Sequence, residues 1–138
     1  MTDPRAIAEA LFSAEGTGGA WNLQILDVAD GYARVAMQIR PDMTNGHGTV
    51  HGGMTFALAD SAFAYACNSH NVRTVGQAAS IVYLAPARVG ETLIAEAQMV
   101  ARQGRSGVCN VVITAEDGRV IATFQGQSRE VGGPLIEG

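Results

Sequence analysis

One stretch gathers most of the side chains able to do chemistry: "NGHGTVHGGMTFALADSAFAYA", residues 45–66. Within it a single acid, Asp60, interrupts an apolar, helix-compatible run, and two histidines, an asparagine and four glycines precede that run. A carboxylate drawn out of water costs several kcal/mol unless it is paired, and its pKa rises. Asp60 therefore reads either as half of a structural ion pair with an arginine or as a general base or nucleophile.

The glycines bear on that choice. A helix opening at His51-Gly52-Gly53 presents unpaired backbone N–H groups at the positive end of the helix dipole. Residues 52 and 53 lack Cβ atoms, so a ligand can approach that backbone closely. Fixed N–H donors of this kind make an oxyanion hole, which stabilises charge developing on a carbonyl oxygen. The plainer alternative is a flexible loop–helix junction.

Spacing adds a constraint. Gly52 and Asp60 are eight residues apart, or roughly 12 Å along one helix, too far for both to touch one reacting carbon. If both act, acid and oxyanion hole come from different copies of the helix. An antiparallel pair about a twofold axis would create two equivalent sites and require a dimer. The small residues Ala57, Ser61 and Ala64 would permit close approach, although they also suit helix–sheet packing.

His51 precedes the glycines, where it could orient a substrate carbonyl or stabilise the helix start. Asn45 could donate its amide to a carboxylate or position a water, but Asn-Gly is also an ordinary turn. His47 is expected in solvated loop and His70 at the surface or as a helix cap. His47 and His51 stand four apart with an acid downstream. The glycines around His47 nevertheless argue against a helical pair, and no third ligand suggests itself, so no metal site is expected. A second candidate, "ARQGRSG" at 101–107, sets Arg102 and Arg105 around a tight turn with Gly104 and Ser106. Arginines, a hydroxyl and exposed amides can hold phosphate; the same residues also make a polar hairpin turn.

These residues have to be positioned by elements that the chain encodes locally. "DPRAIAEALF" carries Asp3 as N-cap and Pro4 at the first helical position, which predicts a short helix. "WNLQILDVADGYARVAMQI" reads as a hairpin about Asp30-Gly31 and "RPDMTNGHGTVHGG" as a loop. "MTFALADSAFAYACNS" is a long helix, apolar on nearly every face and so expected to be buried on nearly every face. The chain is then β-like: "TVGQAASIVYLAP", "ETLIAEAQMVARQ" and a hairpin about Asp117-Gly118, with "GGPLIEG" as a loose tail. Runs of adjacent strands imply α+β architecture, a curved antiparallel sheet of five or six strands wrapping the central helix.

Composition narrows the function classes. The 138 residues suit one domain, and a net charge of −4 argues against nucleic-acid binding. All nine basic residues are arginine. Cys67 and Cys109, far apart in apolar surroundings, are expected to be buried free thiols of a cytoplasmic protein. No signal peptide is legible in "MTDPRAIAEALF", and no apolar run approaches the ~20 residues of a membrane span.

The order N-x5-H-G-G-x6-L-A-D-x2-F, here Asn45, His51, Gly52, Gly53, Leu58, Ala59, Asp60 and Phe63, resembles the hotdog-fold acyl-CoA thioesterases, and most of all their phenylacetate-pathway (PaaI-type) branch. "FAYACNSHN", "VYLAPARVGETL" and "ARQGRSGV" are similar to that branch too, so the resemblance spans most of residues 1–138. It implies a single hotdog domain whose dimers pair into tetramers, with an acyl-CoA as substrate and no separate cofactor. It further implies Asp60 as the catalytic acid residue, a Gly52 N–H on the thioester oxygen helped by His51, and Asn45 near the partner subunit's Asp60. Coenzyme A would meet Gly53, Tyr83, Arg102, Arg105 and Ser106, with the arginines near its phosphates. Some relatives carry a serine early in the strand after the helix to place the attacking water. Gly76 stands at the matching position here, so the helper would be a backbone group or Ser80.

The function expected from this resemblance is hydrolysis of phenylacetyl-CoA, a hydroxylated relative or a similar acyl-CoA. The alternative is a non-catalytic acyl-CoA-binding module. A dehydratase or hydratase fits the His-Gly-Gly spacing poorly.

Overall fold

A computed structural model describes residues 2–137. Helix α1 (Pro4–Ala14) begins as its sequence dictates: the Asp3 side chain accepts from the Arg5 N–H and Pro4 opens the first turn. A short helix, α2 (Thr17–Ala20), follows. Strands β1 (Gln24–Ala29) and β2 (Tyr32–Gln38) pair across the two-residue Asp30-Gly31 turn, where Gly31 takes the positive φ of +67° that this turn demands. A 3-10 turn (Pro41–Met43) and a loop lead to the central helix α3 (Gly52–Cys67).

Strands β3 (Thr74–Tyr83), β4 (Thr92–Gln103), β5 (Ser106–Ala115) and β6 (Val120–Glu130) complete one antiparallel six-stranded sheet of order β1-β2-β4-β5-β6-β3. Helix α3 thus carries the chain from β2 to the far edge of the sheet, where, among the described residues, β3 pairs only with β6. Alternation decides which side chains face the helix. Ala33, Val35 and Met37 of β2, Leu93, Ala95 and Ala97 of β4, and Cys109, Val111 and Ile113 of β5 are buried, and meet Leu58, Ala59, Ala62, Phe63 and Ala66 of α3 in one core. The alanines let helix and sheet approach closely, while each large buried side chain contributes about 1.5–3 kcal/mol.

Two expectations are corrected here. Helix α3 is not covered on every side, because the sheet does not close around it. Gly53 and Asp60 are exposed, and Ala57 and Ala64 on the same stripe are only partly covered, whereas Ser61 is buried. Nor is the C-terminal segment loose. Asn71 accepts the N–H groups of Leu135 and Ile136 and donates to the Ile136 carbonyl, and Arg73 exchanges backbone hydrogen bonds with Val131 and Gly133. Asn71 adopts a positive φ of 62°, a conformation that its short amide side chain tolerates.

Candidate active site

Helix α3 starts on a closely tied cap. His51 is extended, and its Nδ1 accepts the Gly53 N–H at 2.8 Å. The His51 carbonyl accepts from the N–H groups of Met54 and Thr55. The Gly53 donor is therefore not available to a ligand, contrary to expectation; the histidine cap has taken it. Among the described residues the Gly52 N–H has no acceptor. Gly52 lines a cavity of about 400 Å³ with Asn45, Thr49, Thr55, Tyr83 and Pro86, among others.

Asn45 is largely spent on its own loop. Its Oδ1 accepts the N–H groups of His47 and Thr49, and its Nδ2 donates to Thr49 Oγ1 at 3.0 Å. The turn role thus holds within the chain, while the side chain still lines the Gly52 cavity. His47 is exposed in that loop. His70 is neither a free surface residue nor a cap: its Nε2 lies 2.7 Å from Glu130 Oε2, joining the end of α3 to the end of β6. No group of three His, Cys, Asp or Glu side chains that could hold a metal occurs among the described residues.

Asp60 lies in a second, separate recess of about 210 Å³ lined by Phe56, Phe63, Gly76, Gln77, Ala78 and Ala79. The two cavities share no lining residue. Among the described residues Asp60 has no cationic or hydrogen-bonding partner, so the structural ion pair is not realised. The carboxyl is open to solvent on its outer side. Its inner side is walled by apolar atoms, and this loss of water, followed by the charge of Glu15, raises its pKa above the ordinary carboxylate value. Glu15 is itself held by the hydroxyls of Tyr65 and Thr17.

Gly76 forms part of that recess for a packing reason: a Cβ there would stand 3.1 Å from the Phe63 ring. Beside it the β3–β6 register shifts, leaving Gln77 as the extra residue of a bulge that borders the recess. Ser80 does not line the recess. It belongs to a groove with Val82, Asn110, Val112, Thr123 and Gln125.

The arginine turn also lies apart from Gly52 within one chain. Arg102, Arg105 and Ser106 form the exposed β4–β5 hairpin end, where Ser106 pairs with Arg129 and the Arg105 carbonyl accepts from Glu130. That end of β6 pairs with Thr74, beside the C-terminus of α3, whereas Tyr83 pairs with Ala122 at the other end. Tyr83 instead meets Gly52: its hydroxyl donates to the Gly52 carbonyl at 2.8 Å. Sequence reasoning missed this tie, the hold of Tyr65 on Glu15, and the bulge at Gln77. Each depends on residues brought together by the fold.

The profile of the family described as "Thioesterase superfamily" matches residues 47–122, more than half of the chain. The chain belongs to the thioesterase superfamily. It is 37% identical over 128 residues to the acyl-coenzyme A thioesterase PaaI of Escherichia coli K12, covering 93% of this chain and 91% of that one. The solved structure of the E. coli PaaI protein from the phenylacetic acid degradation operon superposes with a TM-score of 0.93 at 36% identity, over 95% of both chains. A hypothetical thioesterase from Streptococcus pneumoniae TIGR4, solved with coenzyme A, matches at a TM-score of 0.79 and 25% identity over 82% of this chain and 91% of that one. The expected hotdog fold is therefore the fold observed, and the protein is an enzyme, a hydrolase of thioester bonds. Among the described residues no helix is long and apolar enough to cross a membrane.

Proposed function

We propose that this enzyme is a PaaI-type acyl-CoA thioesterase acting on phenylacetyl-CoA, a hydroxylated phenylacetyl-CoA or a similar acyl-CoA. The observation that carries the reading is the division of labour along α3: among the described residues, a partnerless Gly52 N–H at its start and a partnerless carboxyl at Asp60, in two separate cavities. The thioester carbonyl is seated on the Gly52 N–H of one subunit, oriented by His51. Asp60 of the second subunit activates water, or attacks the carbonyl carbon itself to give an anhydride that water then cleaves, and the Gly52 donor stabilises the oxyanion as the thiolate leaves. A thiolate leaves with little help from a proton donor, so no Ser-His-Asp triad is required.

The partner is a second copy of the chain, and dimers of this kind pair into tetramers. Three features support the dimer. Asp60 and Gly52 are too far apart on one helix to share a substrate. The Gly53–Ala57–Asp60–Ala64 stripe is not covered by the chain's own sheet. Strand β3 is exposed along nearly its whole length and has only one neighbour. Antiparallel pairing of α3 would also carry the Arg102–Arg105–Ser106 turn toward the other subunit's Gly52, where the arginines meet the phosphates of coenzyme A.

Mixing subunits tests both the chemistry and the partition. Asp60→Ala alone should lower phenylacetyl-CoA turnover by about a hundredfold or more. Gly52→Pro/Tyr83→Ala removes the N–H while the second change makes room for the new ring. Neither variant should turn over alone. After co-refolding, random pairing should restore about a quarter of the parent activity, because half the dimers carry one intact site of two. Near-normal turnover by Asp60→Ala sinks the role of the acid, and no recovery on mixing sinks the shared site.

A further inference from the structure

We infer that Tyr83 is a positioning residue for the oxyanion donor, acting through the backbone of Gly52 rather than through coenzyme A. The inference rests on the reading of Gly52 given above. Two successive glycines at a helix start have no side chains of their own to hold them, and the first turn lacks the full set of helical hydrogen bonds. The orientation of the two peptide planes flanking Gly52 therefore rests on the hydrogen bonds made by their other N–H and C=O groups.

Both planes are held. In the His51–Gly52 plane, the His51 carbonyl accepts from Met54 at 2.9 Å and from Thr55 at 3.3 Å. In the Gly52–Gly53 plane, the Gly53 N–H is bound by His51 Nδ1 at 2.8 Å and the Gly52 carbonyl accepts the Tyr83 hydroxyl at 2.8 Å. Across these two planes the Gly52 N–H alone remains without an acceptor among the described residues. Tyr83 is the tie that comes from furthest away, from the end of the edge strand β3. Its ring also lies against Gly52, 2.9 Å from where a Cβ would stand. Phenol and peptide are thus matched in direction and in shape. Aiming a donor within a fraction of an ångström decides how much of its electrostatic effect reaches the transition state.

The decisive variant is Tyr83→Phe, which keeps the ring and removes one exposed hydroxyl. It should lower kcat for phenylacetyl-CoA about five- to tenfold, part of the hundredfold or more that losing such a donor costs. KM should stay within about twofold of the parent and the melting temperature within about 2 °C. In the ligand-free protein, the same change should shift the amide signals of Gly52 and Gly53 in a nitrogen–proton NMR spectrum. An effect confined to KM makes Tyr83 a coenzyme A contact and overturns the inference, as does an unchanged kcat. Unshifted glycine amides overturn the tie itself, whatever the substrate. If the parent hydrolyses no acyl-CoA, the underlying reading has failed, and the amide shifts then tell whether the tie survives without it.

Discussion

His51 Nδ1 accepts the Gly53 N–H, so in the neutral ring the proton resides on Nε2, which becomes a donor. One imidazole thus caps the helix with one nitrogen and leaves a donor on the other, which in the proposed mechanism orients the thioester carbonyl. His51→Asn retains a capping oxygen and should melt within about 2 °C of the parent, yet lose kcat, because its amide cannot reach as the ring does. His51→Ala should lose both activity and about 1 kcal/mol of stability. Thermal melts beside steady-state kinetics separate the two roles, and equal activity in His51→Asn and the parent would leave the ring only a cap.

The raised pKa of Asp60 has consequences of defined sign. Its carboxyl must be ionised to act as base or nucleophile, so the acid limb of kcat/KM should fall above the ordinary aspartate value of about 3.9. For stability, the folded state holds this proton more tightly than the unfolded chain does. The favourable contribution is present at low pH and is lost as pH rises from the ordinary value through the raised one. At neutral pH the ionised carboxyl is a net cost, limited by solvent screening on its exposed side. Asp60→Asn should therefore raise the melting temperature at pH 7 by roughly 1–4 °C, and the gain should vanish in strong acid.

Gly126 connects core packing to the same acid. A Cβ at this position would lie 2.7 Å from the Phe63 ring, and Phe63 walls the Asp60 recess. Gly126→Ala should cost about 1–3 kcal/mol and displace the ring that walls the Asp60 recess. Denaturant unfolding should register the first effect and a rise in KM the second.

Asn71 offers a test of the docked tail. Asn71→Gly preserves access to the left-handed backbone but removes three hydrogen bonds to Leu135 and Ile136. It should destabilise by about 1–3 kcal/mol, with the amides of residues 133–136 exchanging hydrogen far faster than the sheet. Unchanged exchange there would remove the clamp from the account.

The two thiols should be inert. Burial pushes Cys67 and Cys109 up to about 12, so at pH 8 neither presents an accessible thiolate. Alkylation should proceed only with global unfolding and report its rate.

Much of the architecture was legible because it is local. Asp3 and Pro4 mark the start of α1, Asp30-Gly31 and Asp117-Gly118 mark hairpins, and the alanine-rich run after Gly52 marks α3. The helix start at His51-Gly52 and the lone acid Asp60 within the same run were equally legible, since both are features of one local stretch. Strand order was not: β3 docks on β6 rather than on β4, a pairing that no turn between them dictates. Exposure of Asp60 was hidden for a related reason. An apolar helix face reads alike whether a sheet of its own chain or another copy covers it. Tyr83 and Gly52 are 31 residues apart, and only the fold closes that distance.

The seated C-terminal segment also determines where an attached group would leave the molecule. Gly133 and Val131 are bound to Arg73, and Glu130 to Arg105, so the chain runs out beside the arginine turn and the C-terminal end of α3. A dye, resin tether or fused domain joined beyond residue 137 would emerge there, a helix length from the Gly52 cavity of the same chain. Such a tether would crowd the Arg102–Arg105 hairpin end and leave the Gly52 cavity of the same chain clear.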